Sequence, residues 1–396
     1  MGIYNVFIRK RSFSFFLLLL SVLTITIPQH VYVKVAISLF VLIALWSKYY
    51  DNTTIQLLFF SISYSLIAWL VGCDVSNFEL LSYIVAPIAF YMIGKQLVDV
   101  SNKGDDNAIS YLFIVIAGSV ALWYINVSDG IENGFINTTR LLYNEDNKLM
   151  LTATIQGVIA SLGISMVAYL VSYGVKFNIK SAVCLACVLL STFCVIHLVN
   201  RTGLVVLGAT ICATLAYTSK TKFSRVVIFI LFLVSLYYLL VLIGVLNEDL
   251  YNAYEERNLD DVGKVSTAGS RTERWIQSIS LLFTSPIGWY NMSRVEYSHN
   301  LWLDVARVSG WLPFGILLSI TIKQIKSLVT LFKINGDKFI GFLFGVMSCV
   351  YLSAFVEPII EGISTYFAIM CLLWGMQNAY YRQYSIMRSI TNKKQI

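Results

Sequence analysis

Apolar runs long enough, or nearly so, to cross a bilayer recur along almost the whole chain. They begin near residues 12, 31, 54, 78, 109, 151, 181, 203, 225, 300, 338 and 363, which predicts about twelve transmembrane helices. Most are separated by only a few polar residues, so the pattern reads as one all-α membrane domain over 1–396 rather than a string of soluble domains. The first run follows Arg9-Lys10-Arg11 and continues to Pro28 without a small-residue cleavage site, which predicts a retained anchor. Two interruptions exceed a turn: a smaller loop at 127–150 and a large one at 246–299, the one stretch with room for a helical extramembrane subdomain. No fixed-period repeat is visible.

Composition agrees. With 57% hydrophobic and 13% charged residues and a mean hydropathy of +0.72, the chain is too apolar for a surface that meets water. The net charge of +7 then reports loop placement, not nucleic-acid binding. With the N-terminus cytoplasmic, the inner loops collect Arg9, Lys10, Arg11, Lys48, Lys95, Lys103, Lys176, Lys180, Lys220, Lys222, Arg225, Lys323, Lys326, Lys333, Lys338, Arg382, Arg388, Lys393 and Lys394. The short outer loops at 28–30, 73–77 and 357–362 carry no Lys or Arg. This alternation predicts an even number of spans and two cytoplasmic termini. Six of the seven cysteines lie within apolar runs, and Cys184-x-x-Cys187 has no second ligand pair, which argues against a metal or redox site.

The type of basic residue differs between the two sides. Of the 29 Lys and Arg, the nineteen inner ones are mostly Lys, whereas the remainder are Arg140, Arg201, Arg257, Arg271, Arg274, Arg294, Arg307, Lys34, Lys148 and Lys264. A guanidinium fork grips phosphate oxygens bidentately and stays charged when partly dry, so an outer bias toward Arg points to an anionic, phosphorylated substrate there. Pairing with carboxylates such as Glu145, Asp146, Glu255 and Glu256 is the competing account. Arg201 resists it, sitting in the short hairpin Val199-Asn200-Arg201-Thr202-Gly203 with no neighbouring acid in sequence. Ser270-Arg271-Thr272-Glu273-Arg274-Trp275 reads as a helix start with capping-box spacing. Arg271 and Arg274 then lie in the first turn, where the dipole disfavours cations until an anion binds; a pyrophosphate would meet two forks and free N–H groups together. An interfacial amphipathic helix is the alternative.

Of three histidines, His299 stands where the large loop re-enters the membrane, in Tyr297-Ser298-His299-Asn300-Leu301-Trp302, and is the candidate general base for a hydroxyl. Asp304 and Arg307 share one stripe of the apolar helix after it and are expected to neutralise each other. Trp275, Tyr290, Tyr297 and Asn300 are candidates for contact with sugar, although such aromatics also form interfacial belts.

Three motifs carry a resemblance to a family. Ser298-His299-Asn300-Leu301-Trp302-Leu303-Asp304 through Gly310-Trp311-Leu312-Pro313-Phe314-Gly315, the hairpin Asn200-Arg201-Thr202-Gly203, and Ser270-Arg271-Thr272-Glu273-Arg274-Trp275 with Pro286-Ile287-Gly288 resemble signatures of the O-antigen ligase and polymerase superfamily over roughly 140–320. The resemblance implies a C-type glycosyltransferase-like fold of about twelve spans in the bacterial inner membrane, with its active site on the periplasmic side. It also implies metal-independent work on undecaprenyl-pyrophosphate glycans, without a cofactor. Arg201 and Arg271 or Arg274 would hold the donor pyrophosphate, and His299 would orient or deprotonate the acceptor hydroxyl. Outside the resemblance, Arg140 in the smaller outer loop is a further candidate for the anion site, with pairing to Glu145 or Asp146 as its alternative. Pro313, three positions after Gly310, departs from the ligase branch and favours the polymerase branch. The partners implied are lipid-linked oligosaccharides, membrane lipids and a chain-length regulator. A ligase acting on lipid A core and a lipid-linked oligosaccharide flippase are the rival readings; nearly charge-free early spans speak against the flippase.

Overall fold

The computed structural model of the chain describes residues 13, 15–22, 25, 31–101, 104–137, 139–144, 149–218, 252, 271–292, 297–334, 336–360 and 364–393. Their elements are, in order, α1 (Val31–Tyr49), α2 (Asn52–Leu70), α3 (Asn77–Val100), α4 (Gly104–Asn133), β1 (Leu141–Asn144), β2 (Leu149–Thr152), α5 (Ala153–Ile164), α6 (Val167–Tyr173), α7 (Ile179–His197), α8 (Arg201–Thr218), α9 (Arg271–Thr284), α10 (Leu301–Ser309), α11 (Trp311–Phe332), α12 (Lys338–Val356) and α13 (Ser364–Lys393). Short polar residues start many of the helices: Asp51, Ser76, Asn178, Asn300 and Asp337 each accept a hydrogen bond from a backbone N–H of the first turn.

Nine segments among the described residues are long and apolar enough to cross a membrane: α1, α2, α3, α4, α5 with α6, α7, α8, α11 and α12. The chain is thus a helical, multi-pass membrane protein. The run expected from 225 lies outside the described residues, and so does part of the run from 12. The run from 300 divides at Gly310 into the short α10 and the spanning α11. Most of the loop expected at 246–299, including Arg257, Lys264, Ser270, Arg294 and its paired acids, also lies outside them. Within the interruption expected at 127–150, α4 continues to Asn133. Its polar end is sustained by partners: the Asp129 carboxylate accepts from Asn133 Nδ2 at 2.8 Å and bonds His197 Nε2, also at 2.8 Å. The antiparallel hairpin β1–β2 follows, with Leu141 opposite Thr152.

The chain forms two compact units. The first comprises 1–117, 277–334 and 358–396. Its centre is α3, packed against α1, α2 and α13. Backbones approach closely where α3 meets α13: a Cβ at Gly94 would stand 2.0 Å from Leu372 O, and one at Gly375 would stand 2.0 Å from Tyr91 O. Asp51, between α1 and α2, accepts from Lys95 Nζ, Tyr91 Oη and Thr54 N. Burial pushes its carboxyl up, but these donors and the Lys95 charge together hold it below the ordinary carboxylate range. The second unit comprises 118–276 and 335–357, and packs α5, α6, α7, α8 and α12. Polar pairs lock it internally, with Asn126 Nδ2 donating to Gln156 Oε1 at 2.9 Å and Trp123 Nε1 donating to Ser191 Oγ at 2.8 Å.

Candidate functional site

The arginines of the second unit are tied together through its backbone. Ala153, the first residue of α5, donates its N–H to Arg140 O at 3.0 Å and accepts on its own carbonyl from Asn200 Nδ2 at 2.8 Å. Asn200 also caps α8, accepting from Gly203 N at 3.1 Å. One alanine therefore fixes the Arg140 turn to the hairpin that carries Arg201. The Arg140 turn has a second anchor. Asn137 donates its N–H to His197 O at 2.7 Å, donates Nδ2 to Asp129, and accepts the Arg140 N–H on Oδ1 at 3.0 Å. His197, fully buried, bonds Phe135 O and Asp129 through its two ring nitrogens and stacks on Phe193.

Arg271 joins the same end of this unit. Its Nη1 donates to Thr202 Oγ1 and its Nη2 to Glu357 Oε1, both at 2.9 Å. Thr202 is the residue next to Arg201, and Glu357, 3% exposed, is the residue that ends α12. One turn further along α9, Trp275 packs edge-on against Phe355, so two side chains of α9 grip the end of α12. Arg274 lies exposed in the same first turn as Arg271. The capping box expected at Ser270 falls outside the described residues.

In the first unit, His299 is presented by a hairpin built around Asp304. One oxygen of that carboxylate accepts the Ser298 N–H at 2.6 Å and the other accepts the Asn300 N–H at 3.0 Å. The two bonds straddle His299 and hold it at φ +52°, in the left-handed region. Asn300 caps α10 by accepting from Leu303 N, so its side chain is committed to the helix start. The Arg307 guanidinium lies 4.9 Å from the Tyr290 ring centre and 5.0 Å from that of Tyr297, a cation held between two aromatic faces. Asp304 and Arg307, expected to neutralise each other, do interact by charge, and each also carries a separate structural task.

The Pro286-Ile287-Gly288 turn and Gly310 interlock. Trp289 N donates to Arg307 O at 2.8 Å, and Trp311 N donates to Pro286 O at 2.9 Å. Both glycines have positive φ, +110° and +72°, and a Cβ on Gly310 would meet Pro286 O at 2.2 Å. These glycines close the loop that carries Tyr290 onto the junction between the end of α10 and the start of α11.

Of the site residues expected from the sequence, Arg140, Arg201, Arg271, Arg274 and Trp275 fall in one unit, and His299, Asn300, Tyr290 and Tyr297 fall in the other. Among the described residues, the three non-glycine positions with positive φ are Arg140 (+59°), Val199 (+49°) and His299 (+52°), each within a site hairpin. Such positions cost about 1–3 kcal/mol and concentrate at functional sites. Glu357 was not singled out by sequence reasoning, its signal being an acid beside Pro358 between two strongly apolar runs, and Thr202 entered only as part of the Arg201 hairpin, with no role of its own. Among the described residues no group of three or more His, Cys, Asp or Glu could hold a metal ion. No protein-family model matches the chain, and no curated protein matches it significantly.

Proposed function

We propose that this membrane protein is a surface-polysaccharide polymerase of the O-antigen type, taking a lipid diphosphate glycan as donor on the outer face of the membrane. The observation that carries the reading is the linkage of Arg140, Arg201 and Arg271 through Ala153, Asn200 and Thr202 in one compact unit. The segments that carry these arginines are joined by hydrogen bonds, and a diphosphate, with several oxygens and more than one charge, is an anion that more than one guanidinium fork can bind.

In the proposed reaction, a sugar hydroxyl of one lipid-linked repeat unit attacks C1 of the reducing-end sugar on another lipid-linked chain. The new glycosidic C–O bond forms as the bond from C1 to the diphosphate oxygen breaks. His299 accepts the hydroxyl proton, and the leaving undecaprenyl pyrophosphate carries the released electron pair. The largest electrostatic demand is charge on that leaving group, which forks fixed before the reaction can stabilise in a partly dry site. A strained, rigidly held His299 fits the demand for a base whose direction is set in advance.

Purified protein in lipid, supplied with undecaprenyl-pyrophosphate repeat units alone, tests the reading. A product ladder is expected from the parent and should be lost, by 100-fold or more in rate, in folded Arg271→Ala and His299→Ala. Transfer seen only after adding a lipid A core acceptor would assign a ligase, and failure of both transfers would sink the glycosyltransferase reading.

A further inference from the structure

The Arg271 fork is held by two side chains of the protein, and one of them is an acid. Glu357 is almost fully buried, which is costly for a carboxylate without a compensating partner. Its Oε1 meets Arg271 Nη2 at 2.9 Å while Thr202 takes Nη1 at the same distance, so two donors of the fork have fixed directions. The backbone beneath is restrained as well, since Trp275, four residues along α9, packs on Phe355, two residues before Glu357. An acid close to an anion site opposes the anion by its charge. Its retention at hydrogen-bond distance therefore needs a compensating benefit, and orientation of a flexible arginine, which otherwise loses rotamer freedom on binding, provides one.

We infer that Glu357 is a positioning residue for the lipid diphosphate: it aims Arg271 at the donor headgroup through Oε1. This inference rests on the diphosphate reading above and adds a residue to it. Position and charge make opposite demands on two conservative changes. Glu357→Gln keeps an oxygen acceptor at the same reach and removes the charge. Glu357→Asp keeps the charge and withdraws the acceptor by one methylene.

The measurement is saturation binding of undecaprenyl pyrophosphate to the full chain in detergent, with thermal unfolding recorded for each variant. Glu357→Asp should weaken binding about tenfold and Glu357→Gln only about twofold. In an Arg271→Ala background, Glu357→Asp should add no further loss, because the residue it aims is gone. A larger loss for Gln than for Asp, or a loss for Asp that persists without Arg271, would show that Glu357 acts through charge or through the fold and would overturn the inference. Binding by the parent that Glu357→Asp leaves unchanged would overturn the role of Glu357 alone. No saturable binding by the parent would remove the diphosphate reading and this inference with it.

Discussion

At the scale of the residue, the most demanding arrangement is the carboxylate of Asp304, which accepts two backbone N–H groups on either side of His299. Both oxygens are used, in a side chain that is 4% exposed. Asn at this position can present only one oxygen, so its amide NH2 would face a backbone donor and leave one buried N–H unsatisfied, at about 1–3 kcal/mol. Asp304→Asn should therefore lower thermal stability in detergent by that amount. It should also reduce polymer formation at least tenfold, because His299 loses the restraint that keeps it at φ +52°. Stability loss with full activity would show that Asp304 serves the helix start only. The sequence placed Asp304 and Arg307 on one helical stripe, which was correct as spacing. It could not tell that the carboxylate turns back on the backbone while the guanidinium lies between two tyrosines, because those choices depend on a loop folded over α10.

At the scale of the element, the interlocked glycines decide how α10 meets α11. Gly310 has both a left-handed backbone and a carbonyl oxygen where its Cβ would be, so Gly310→Ala incurs strain and a backbone clash together. The expected cost is about 2–4 kcal/mol, read as a large fall in the unfolding temperature. Gly315, five residues on within α11, supplies the control: a Cβ there meets nothing within 4 Å, and its φ is not positive. Gly315→Ala should be neutral or add about 0.5–1 kcal/mol through helix propensity. Equal effects at both positions would mean that the Pro286 contact does not hold the loop. The turn Pro286-Ile287-Gly288 and Gly310 were legible as motifs, but their pairing across more than twenty residues was not, since a glycine in sequence says that a close approach is needed and not what approaches. The hairpin β1–β2 was hidden for a related reason: four-residue strands in an otherwise apolar chain leave no period-2 signal to read.

At the scale of the whole molecule, hydropathy was the readable quantity, because in lipid every span must satisfy its own backbone and so must be a helix of nearly fixed length. The runs beginning near 31, 54, 78, 109, 151, 181, 203 and 338 correspond to α1 to α8 and α12. Boundaries were less readable where polar residues find internal partners, as at the end of α4, where Asp129 and His197 satisfy each other inside the unit. The side of the membrane on which each loop lies is an expectation from charge alone, and it is open to direct test. Thr139 lies exposed in the Arg140 turn and Phe177 is fully exposed between α6 and α7, with the single span α5–α6 between them. In the orientation proposed from the excess of Lys near 176–180, Phe177 faces the cytoplasm and Thr139 the outside. In a full-length Cys73→Ser background, Thr139→Cys should react with a membrane-impermeant maleimide in cells with a permeabilised outer envelope. Phe177→Cys should react only after the inner membrane is opened. The reverse pattern would invert the orientation and move the arginine cluster to the cytoplasm, where an enzyme joining exported lipid-linked glycans could not use it.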